Sequence, residues 1–414
     1  MVQKIDVFQL QQIAKLDGLS QRVVQAINFN NNTDFYEYAL QYIKSAQTIN
    51  IYKSDNNDGG SWDTTSENSN FSINFNKLIT LDGQLGGHTQ TLIQDGGNVI
   101  TGMHHISFKN LETFLNMTTS QQKAKFLSSS IDNTSWTTLK KYLDGSLSNT
   151  NDSGLNWATN FIGLRNEFLN TEPIDGSYVN IIGTDQLVHN VLRSELAVSE
   201  NNAITLLAIN DKDDGLHLFA YNLDMLSQVD NMYSAIFAYL DEYGFKTLPN
   251  PADLIFQYNP SEISNVLACY KDLLDNDCLV FDLSQNTPIN QMSFTKQEVL
   301  QLTQVLNKDF SYQGFSVDSK GNVYISSGFG PDSKTTMGNP HVYVINNNQW
   351  YDIDCSQLIV QAGANYFPEI EGIQVLDPDN ILVCVSIHDL ETTGSTVISN
   401  KVYRLSWGNW IEND

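Results

Sequence analysis

The sequence predicts an all-β fold, a five-bladed β-propeller with helical insertions between the blades. Three observations lead to this prediction. A strand–turn–strand pattern recurs along the chain, each copy begins with glutamine or glutamate, and further short strands follow in several copies. A repeated antiparallel unit of three or four strands is typical of a propeller blade. Five copies therefore predict five blades within a single domain spanning residues 1–414.

The recurring pattern is a polar residue, a short strand, a turn and a second strand. Turn residues such as Asp, Asn and Gly separate the two apolar segments, as they do in hairpins. A weaker copy has a longer polar loop and begins at Gln21. The four clear copies begin at Gln90, Glu195, Gln313 and Glu371.

Helical patterns lie between the predicted blades, near residues 109–143 and 224–307. Residues 227–243 place apolar side chains on one helical face, which indicates an amphipathic helix. Thr295 and Glu298 have the spacing of a capping box. We expect the apolar faces of these helices to pack on blade edges.

The charge of the chain limits its partners. The 414 residues include 17% charged residues and carry a net charge of -25. Because phosphate binding requires clusters of Lys and Arg, nucleic acid is not expected as a partner. No run approaches about 18 apolar residues, so no transmembrane segment is predicted. The N-terminal residues also lack the apolar run of a signal peptide.

Metal and cofactor sites are not predicted. The four cysteines lack the paired spacing of zinc ligands, and Cys384 lies in an apolar strand where a small core residue fits. The segment from Asp211 to Gly215 has some features of a calcium loop but lacks the following glutamate. A tight hairpin turn is the favoured interpretation of that segment.

The polar residue that starts each copy predicts a ligand site. In a propeller, the first strand of each blade lines the central channel, so these residues would ring one mouth of the channel. His88 and Thr89 belong to the segment GGHTQT, where small residues allow backbone and ligand to approach closely. Amides and carboxylates suit hydroxyl-rich ligands such as sugars. The predicted ligand-binding residues are Gln21, His88, Thr89, Gln90, Glu195, Gln313 and Glu371.

Two other interpretations of this ring remain open. The polar residues could bind only water or the neighbouring blades. Alternatively, Glu195 and Glu371 could be the two carboxylates of a glycosidase. Three of the five ring residues are glutamines, which orient a sugar but cannot transfer protons. Binding is therefore favoured over catalysis, and no catalytic residue is assigned.

The chain also resembles a known family over most of its length. The matching segments include LDGQLGGHTQT, YQGFSVDSKGNVYISSGFGPD, EIEGIQVL and VYRLSW, and they are collinear from about residue 16 to residue 407. On these segments the sequence resembles the helveticin J family of class III bacteriocins from lactobacilli. The positions that match the family include His88, Thr89, Gln90, Glu195, Gln313 and Glu371.

This resemblance implies a secreted protein that kills or inhibits related bacteria. It supplies no catalytic residues and no cofactor. Combined with the predicted ring, it suggests that the partner is a cell-surface glycan or glycopolymer. The alternatives are a glycoside hydrolase-like enzyme acting on cell-wall or exopolysaccharide sugars, and a surface adhesin or lectin without killing activity.

Overall fold

The strands form hydrogen-bonded sheets, and most neighbouring strands within a sheet are also consecutive in the sequence. The structure is a computed structural model, and the residues it describes are 2–5, 9–29, 36–46, 48–55, 71–82, 89–95, 98–102, 158–165, 177–182, 191–211, 215–228, 231, 238, 278–282, 286–295, 297–298, 312–327, 340–390 and 396–407. Across these ranges the strands form four sheets. The predicted all-β class is confirmed.

Within these sheets we distinguish five groups of four antiparallel strands, counted over the described residues and called units 1 to 5. Units 5 and 1 share one eight-stranded sheet, because residues 15–17 pair in parallel with residues 72–74. Unit 1 contains β3 (Ala26–Asn28), β4 (Tyr38–Ile43), β5 (Thr48–Ser54) and β6 (Ser72–Asp82). Unit 2 contains β7 (Leu92–Asp95), β8 (Asn98–Gly102), β9 (Ala158–Arg165) and β10 (Ser177–Ile182). Unit 3 contains β11 (Val191–Val198), β12 (Thr205–Asp211), β13 (Gly215–Tyr221) and β15 (Asn290–Thr295).

Units 4 and 5 complete the series and include the N-terminal segment. Unit 4 contains β16 (Tyr312–Val317), β17 (Val323–Ser327), β18 (His341–Asn346) and β19 (Gln349–Asp354). Unit 5 contains β20 (Tyr366–Asp377), β21 (Asn380–Asp389), β22 (Val397–Ser406) and β2 (Gln9–Asp17). Two added strands pair in parallel at outer edges, β14 (Cys278–Asp282) on β10 and β1 (Val2–Lys4) on β19.

The first strands of the units lie next to one another. β3 contacts β7, β7 contacts β11, β11 contacts β16, β16 contacts β20, and β20 contacts β3 again. The series therefore closes on itself. We call the end where these five strands begin the upper end, and the opposite end the lower end.

Two glycines allow neighbouring first strands to approach at backbone distance. A Cβ atom added at Gly314 of β16 would lie 2.8 Å from the carbonyl oxygen of Glu371 in β20. A Cβ atom added at Gly372 would lie 2.7 Å from the carbonyl oxygen of Gln25, just before β3. Each glycine directly follows the polar residue of its unit, so the close packing and the polar side chains occur at the same level.

Apolar side chains fill the space between neighbouring units. One cluster joins units 3 and 4, with Leu206, Leu218, Val323 and Tyr343 among its members. A second joins units 4 and 5, and a third joins units 5 and 1. Burial of each large apolar side chain contributes about 1.5–3 kcal/mol. The core is therefore divided among the contacts between units.

The turns after the first strands are held by Asp–Asn pairs. The Asp318 carboxylate accepts hydrogen bonds from the backbone N–H of Lys320 and of Asn322, both at 2.9 Å. In unit 5, Asp377 accepts from the side-chain amide of Asn380 at 2.8 Å. The hydroxyl of Tyr324 lies 2.9 Å from Asp318 Oδ2, which fixes this turn to β17. These pairs explain the Asp and Asn residues seen in the repeated turns.

Only part of the predicted helical insertions lies among the described residues. Residues 225–228 are helical, and the capping box is present because Thr295 N–H donates to Glu298 Oε2 at 2.8 Å and Glu298 N–H donates to Thr295 Oγ1 at 3.2 Å. The same backbone hydrogen bond from Thr295 lowers the pKa of Glu298. The prediction of a helical insertion at 224–307 is wrong at β14 and β15, which are strands, and β15 pairs with β13 as the fourth strand of unit 3. The insertion predicted at 109–143 and most of the remainder of 224–307 lie outside the described residues, and so does the interior of the Asp211–Gly215 segment. Its ends pair directly across β12 and β13, as the favoured hairpin interpretation requires.

Replacing Gly314 or Gly372 with alanine should destabilise the fold. The new methyl group would meet backbone atoms at less than 3 Å, so the first strands must separate. We expect a loss of about 1–3 kcal/mol in the free energy of unfolding, measured by urea denaturation. The matched control is Gly321→Asn, because nothing lies within 4 Å of its Cβ position and asparagine tolerates its φ of +85°. An alanine variant as stable as the wild type would contradict the close packing.

Candidate functional site

A buried polar cluster occupies the region where the first strands meet. Gln90 lies just before β7, Glu195 lies in β11, Gln313 in β16 and Glu371 in β20. Their exposed fractions are between 1% and 8%, with Gln313 the most exposed. Four of the five predicted ring residues thus come together, although they are separated by up to 281 positions in sequence.

The side-chain amide of Gln90 joins two other units. Its Nε2 donates to Glu371 Oε2 at 2.7 Å and also to Gln313 Oε1. A charged acceptor strengthens the first of these bonds. Both amide hydrogens of Gln90 are used in this way, whereas its Oε1 atom is buried and has no hydrogen-bond partner among the described residues.

The Thr-Gln-Thr segment that precedes β7 binds the carboxylate of Glu195. The backbone N–H of Gln90 donates to Glu195 Oε1 at 3.3 Å, and the hydroxyls of Thr89 and Thr91 donate to Oε2. All three residues of the segment are at most 4% exposed. A large apolar side chain could not make these bonds, which explains why polar residues precede β7.

Two residues that sequence reasoning did not identify extend the cluster into unit 5. Glu369 Oε1 accepts a hydrogen bond from Gln313 Nε2 at 3.1 Å, and Glu369 Oε2 lies 2.9 Å from His388 Nε2. Both side chains are buried, and His388 Nδ1 has no hydrogen-bond partner among the described residues. A chain of hydrogen bonds therefore runs from Glu369 through Gln313 and Gln90 to Glu371, and His388 lies against its Glu369 end.

Gln21 does not take part in these hydrogen bonds. The structure places Gln21 in an exposed bend at the upper end, and β3 begins only at Ala26. The residue level with Gly372 is Gln25, which is buried and whose Oε1 accepts from the backbone N–H of Tyr42. The predicted first strand of unit 1 was therefore placed too early. His88 lies outside the described residues.

The surroundings of Glu195 and Glu371 differ from those expected of a glycosidase pair. Both carboxylates are 1–2% exposed and accept hydrogen bonds from the same residue, Gln90. Acid–base work on a sugar requires carboxylates that reach the substrate. These contacts favour a role in holding neighbouring units together.

Metal ligands and reactive thiols are not found among the described side chains. No group of three or more His, Cys, Asp or Glu residues in this part of the chain is arranged to hold a metal ion. Cys355 and Cys384 are free and buried. Burial, together with the nearby negative charge of Glu371, raises the pKa of the Cys384 thiol, so this thiol is a core residue as predicted.

The fold and the cluster define an all-β protein built from repeated four-stranded units that meet through polar side chains. No helix among the described residues is long and apolar enough to cross a membrane. The family model for bacteriocin helveticin-J matches residues 256–408, which include unit 4 and strands β20, β21 and β22 of unit 5. The resemblance to the helveticin J family that the sequence predicts is confirmed by this match and by a curated relative.

That relative is the bacteriocin helveticin-J of Lactobacillus helveticus. It is 23% identical over 262 residues, which cover 59% of this chain. The match spans 65% of the length of the relative. The resemblance therefore extends beyond the family model but leaves parts of both chains unmatched.

Solved structures show distant similarity at 8–10% sequence identity. The tail fiber of Staphylococcus aureus phage P68 has a TM-score of 0.38 and covers 97% of this chain and 53% of its own. An α-L-arabinanase of Penicillium chrysogenum complexed with arabinobiose has a TM-score of 0.34, with 95% and 97% coverage. The β-propeller domain of the Trilobed protease from Pyrococcus furiosus has a TM-score of 0.27, with 86% and 75% coverage. Similarity at this level does not define a blade count or a function.

Gln90→Glu should destabilise the fold in a pH-dependent manner. The new carboxylate would face Glu371 where an amide donor now binds it. We expect a loss of about 2 kcal/mol near neutral pH. Repulsion raises the pKa of both carboxyls in the folded state, so the folded chain binds more protons than the unfolded chain. The free energy of unfolding should then fall as pH rises from about 4 to 8.

The measurement is urea denaturation of wild type and variant across that pH range. Gln291→Glu makes the same chemical change at an exposed position of β15 and serves as the control. Equal pH profiles for the two glutamate variants would show that Gln90 does not face Glu371.

Proposed function

We propose that this chain is a secreted antibacterial protein of the bacteriocin type that recognises a cell-surface glycan or glycopolymer on related bacteria. The single observation that carries the antibacterial part is the family match over residues 256–408. The relative that the chain matches is itself named a bacteriocin. Glycan recognition is supported separately, by the chemistry of the upper end.

The proposal includes a five-bladed β-propeller, in which the five units are blades around one axis. Support comes from the closed series of contacts among the first strands and from the antiparallel order within each unit. The N-terminal strand β2 completes the last blade, and its parallel pairing with β6 joins that blade to the first. The whole chain then forms one domain, with the helical insertions between blades.

Within this arrangement, the predicted ligand residues divide into two groups. Gln90, Glu195 and Glu371 are buried and hold the blades together, so their amides and carboxylates shape the mouth of the channel. Gln21 is exposed at the upper end, and Gln313 is the least buried member of the cluster. These two amides would reach a sugar hydroxyl first, and His88 is proposed as a further contact. Thr89 is buried against Glu195 and belongs with the first group.

Buried polar atoms without partners add capacity for hydrogen bonds near this mouth. Gln90 Oε1 can only accept, whereas the imidazole of His388 can donate or accept at Nδ1 according to its tautomer. Ordered water commonly forms hydrogen bonds with such atoms and can bridge them to a ligand hydroxyl. This supply of donors and acceptors suits a neutral polyhydroxyl ligand.

The test of this function combines binding and killing. Wild-type protein should bind isolated cell walls of related Gram-positive bacteria and inhibit the growth of the same strains. Periodate oxidation of the walls should abolish binding, because it destroys the vicinal hydroxyls of sugars. Binding without growth inhibition would favour an adhesin, and no binding to walls of inhibited cells would contradict glycan recognition.

Gln21→Ala should weaken wall binding about 3–10-fold, because it removes an amide that contacts the ligand. It should leave the unfolding midpoint unchanged, since Gln21 is exposed. Gln291→Ala, at an exposed site on β15, is the matched control. If Gln21→Ala binds cell walls as tightly as the control, Gln21 does not contact the ligand.

Glu195→Gln and Glu371→Gln separate binding from catalysis. A binding protein should retain growth inhibition in both variants once they are shown to be folded, because an amide preserves the shape of the side chain. An enzyme that used these carboxylates should lose about 10² or more in rate from each change. Release of reducing sugars from cell walls by wild type, abolished in both variants, would replace the binding proposal with a hydrolase.

A further inference from the structure

The upper end carries exposed apolar side chains beside the polar mouth. Four large hydrophobic side chains are exposed among the described residues: Ile289, Val360, Tyr366 and Ile398. Strands within a unit alternate in direction, so the segment that joins β19 to β20 and the beginning of β22 both lie at the upper end. Three of the four exposed side chains are therefore at that end, and Ile289, which precedes β15, is at the lower end.

Tyr366 is the aromatic member of this group and lies on the strand that carries the site. It is the first residue of β20, with 38% of its surface exposed. Glu369, the next polar residue of that strand, binds Gln313. At about 3.3 Å per residue, Tyr366 is about 10 Å from Glu369 towards the upper end. The pairing with β21 is regular from Tyr366 to Ile370, so the Tyr366 ring lies on the opposite face of β20 from Glu369.

The backbone around Tyr366 is held firmly. The preceding helix α1 (Gln357–Ala362) ends at Gly363, which adopts a φ of +96°, and Tyr366 N–H donates to Gly363 O at 3.1 Å. The ring lies beside this glycine, with Cδ2 3.7 Å from where a Cβ would be. Asn365 O accepts from Leu390 N–H at 3.0 Å. A tyrosine on a backbone fixed in this way has only two side-chain torsions to order when it binds a ligand, so the entropic cost is small.

Helix α1 extends the apolar surface next to the ring. Leu358 is buried in the cluster between units 4 and 5, which fixes the helix, while Val360 is 84% exposed. Val360 is three residues before Gly363, so it lies about one helical turn from the glycine beside the ring. An exposed aliphatic side chain and an exposed aromatic ring therefore lie at the same end of the molecule as the polar mouth.

We propose that Tyr366 is an aromatic platform that stacks on the apolar face of a sugar ring, with Val360 extending the contact. The inference rests on the proposed glycan recognition and adds a second kind of contact to that site. Pyranose rings present C–H groups on one face and hydroxyls at their edges. A ligand that spans the mouth and the platform thus places hydroxyls near Gln21 and Gln313 and a ring face on Tyr366.

The experiment measures binding of the full-length chain to purified cell-wall polysaccharide by titration calorimetry. Tyr366→Ala should weaken binding about tenfold, whereas Tyr366→Phe and Tyr366→Trp should bind within about threefold of wild type because each retains a flat ring. Ile289→Ala removes an exposed apolar side chain at the lower end and should change nothing. Unfolding midpoints confirm that each variant is folded.

Distinct outcomes separate this inference from the proposed function. If wild type does not bind the polysaccharide, glycan recognition itself fails. If wild type binds and Tyr366→Ala binds equally well, the platform fails while glycan recognition stands. Loss of binding in Tyr366→Phe equal to that in Tyr366→Ala would also overturn the platform, since the ring would not be the contacting group.

A second readout does not depend on the alanine variant. Polysaccharide should protect the tryptophan introduced by Tyr366→Trp from acrylamide quenching, at the concentration that saturates binding. Unchanged quenching at saturation would overturn the platform. Vesicles of phosphatidylcholine and phosphatidylglycerol should give no protection, and protection by vesicles in place of polysaccharide would assign this surface to lipid.

Discussion

The structure depends on the contact between the first strands of the units. These strands approach so closely that their polar side chains form hydrogen bonds with one another. Gly314 and Gly372 permit the approach, and Gln90 donates to residues of two other units. A buried amide or carboxylate that loses its partner costs about 1–3 kcal/mol or more, so each hydrogen bond inside this cluster matters for the stability of the fold. This single constraint accounts for both the recurring Gln and Glu and the burial of four of them.

Strand pairing of the N-terminal segment joins unit 5 to unit 1 without a covalent bond. β2, near the N-terminus, is the fourth strand of a unit whose other strands lie between residues 366 and 406, and it pairs with β6 of the first unit. β1 then pairs with the outer edge of β19 in unit 4. Pairing residues so distant in sequence carries an entropic cost, which burial between units 5 and 1 offsets. Joining the last unit to the first and forming the apolar core between them are thus coupled.

Much of the fold could be predicted because each unit repeats the same local chemistry. The Asp and Asn residues of the turns around Asp318 and Asp377 are visible in the sequence, and their hydrogen bonds explain why they recur. Unit 1 was misaligned because its first strand has only three residues and a second glutamine, Gln25, follows Gln21. Both glutamines fit the pattern, and only the backbone contact with Gly372 distinguishes them.

The Glu369–His388 pair could not be recognised from the pattern, although one signal was present. Glu369 and Glu371 alternate on one strand, which suggests a shared face. Two register shifts in the β20–β21 hairpin set Phe367 opposite His388 and Ser386 opposite Glu369, and such bulges leave no clear trace in sequence. The exposure of Tyr366 likewise follows from helix α1 and its glycine cap.

The central claim is that side chains from separate units meet in one cluster, and a double-mutant cycle between Gln90 and Glu371 tests it most directly. Gln90→Leu, Glu371→Leu and the double variant would be compared by urea denaturation, with a second cycle between Gln90→Leu and Lys320→Ala at an exposed turn as the reference. The account predicts a coupling free energy of about 1–3 kcal/mol for Gln90 and Glu371, and a value near zero for the reference cycle. Equal, near-zero coupling in both cycles would contradict the convergence of these units.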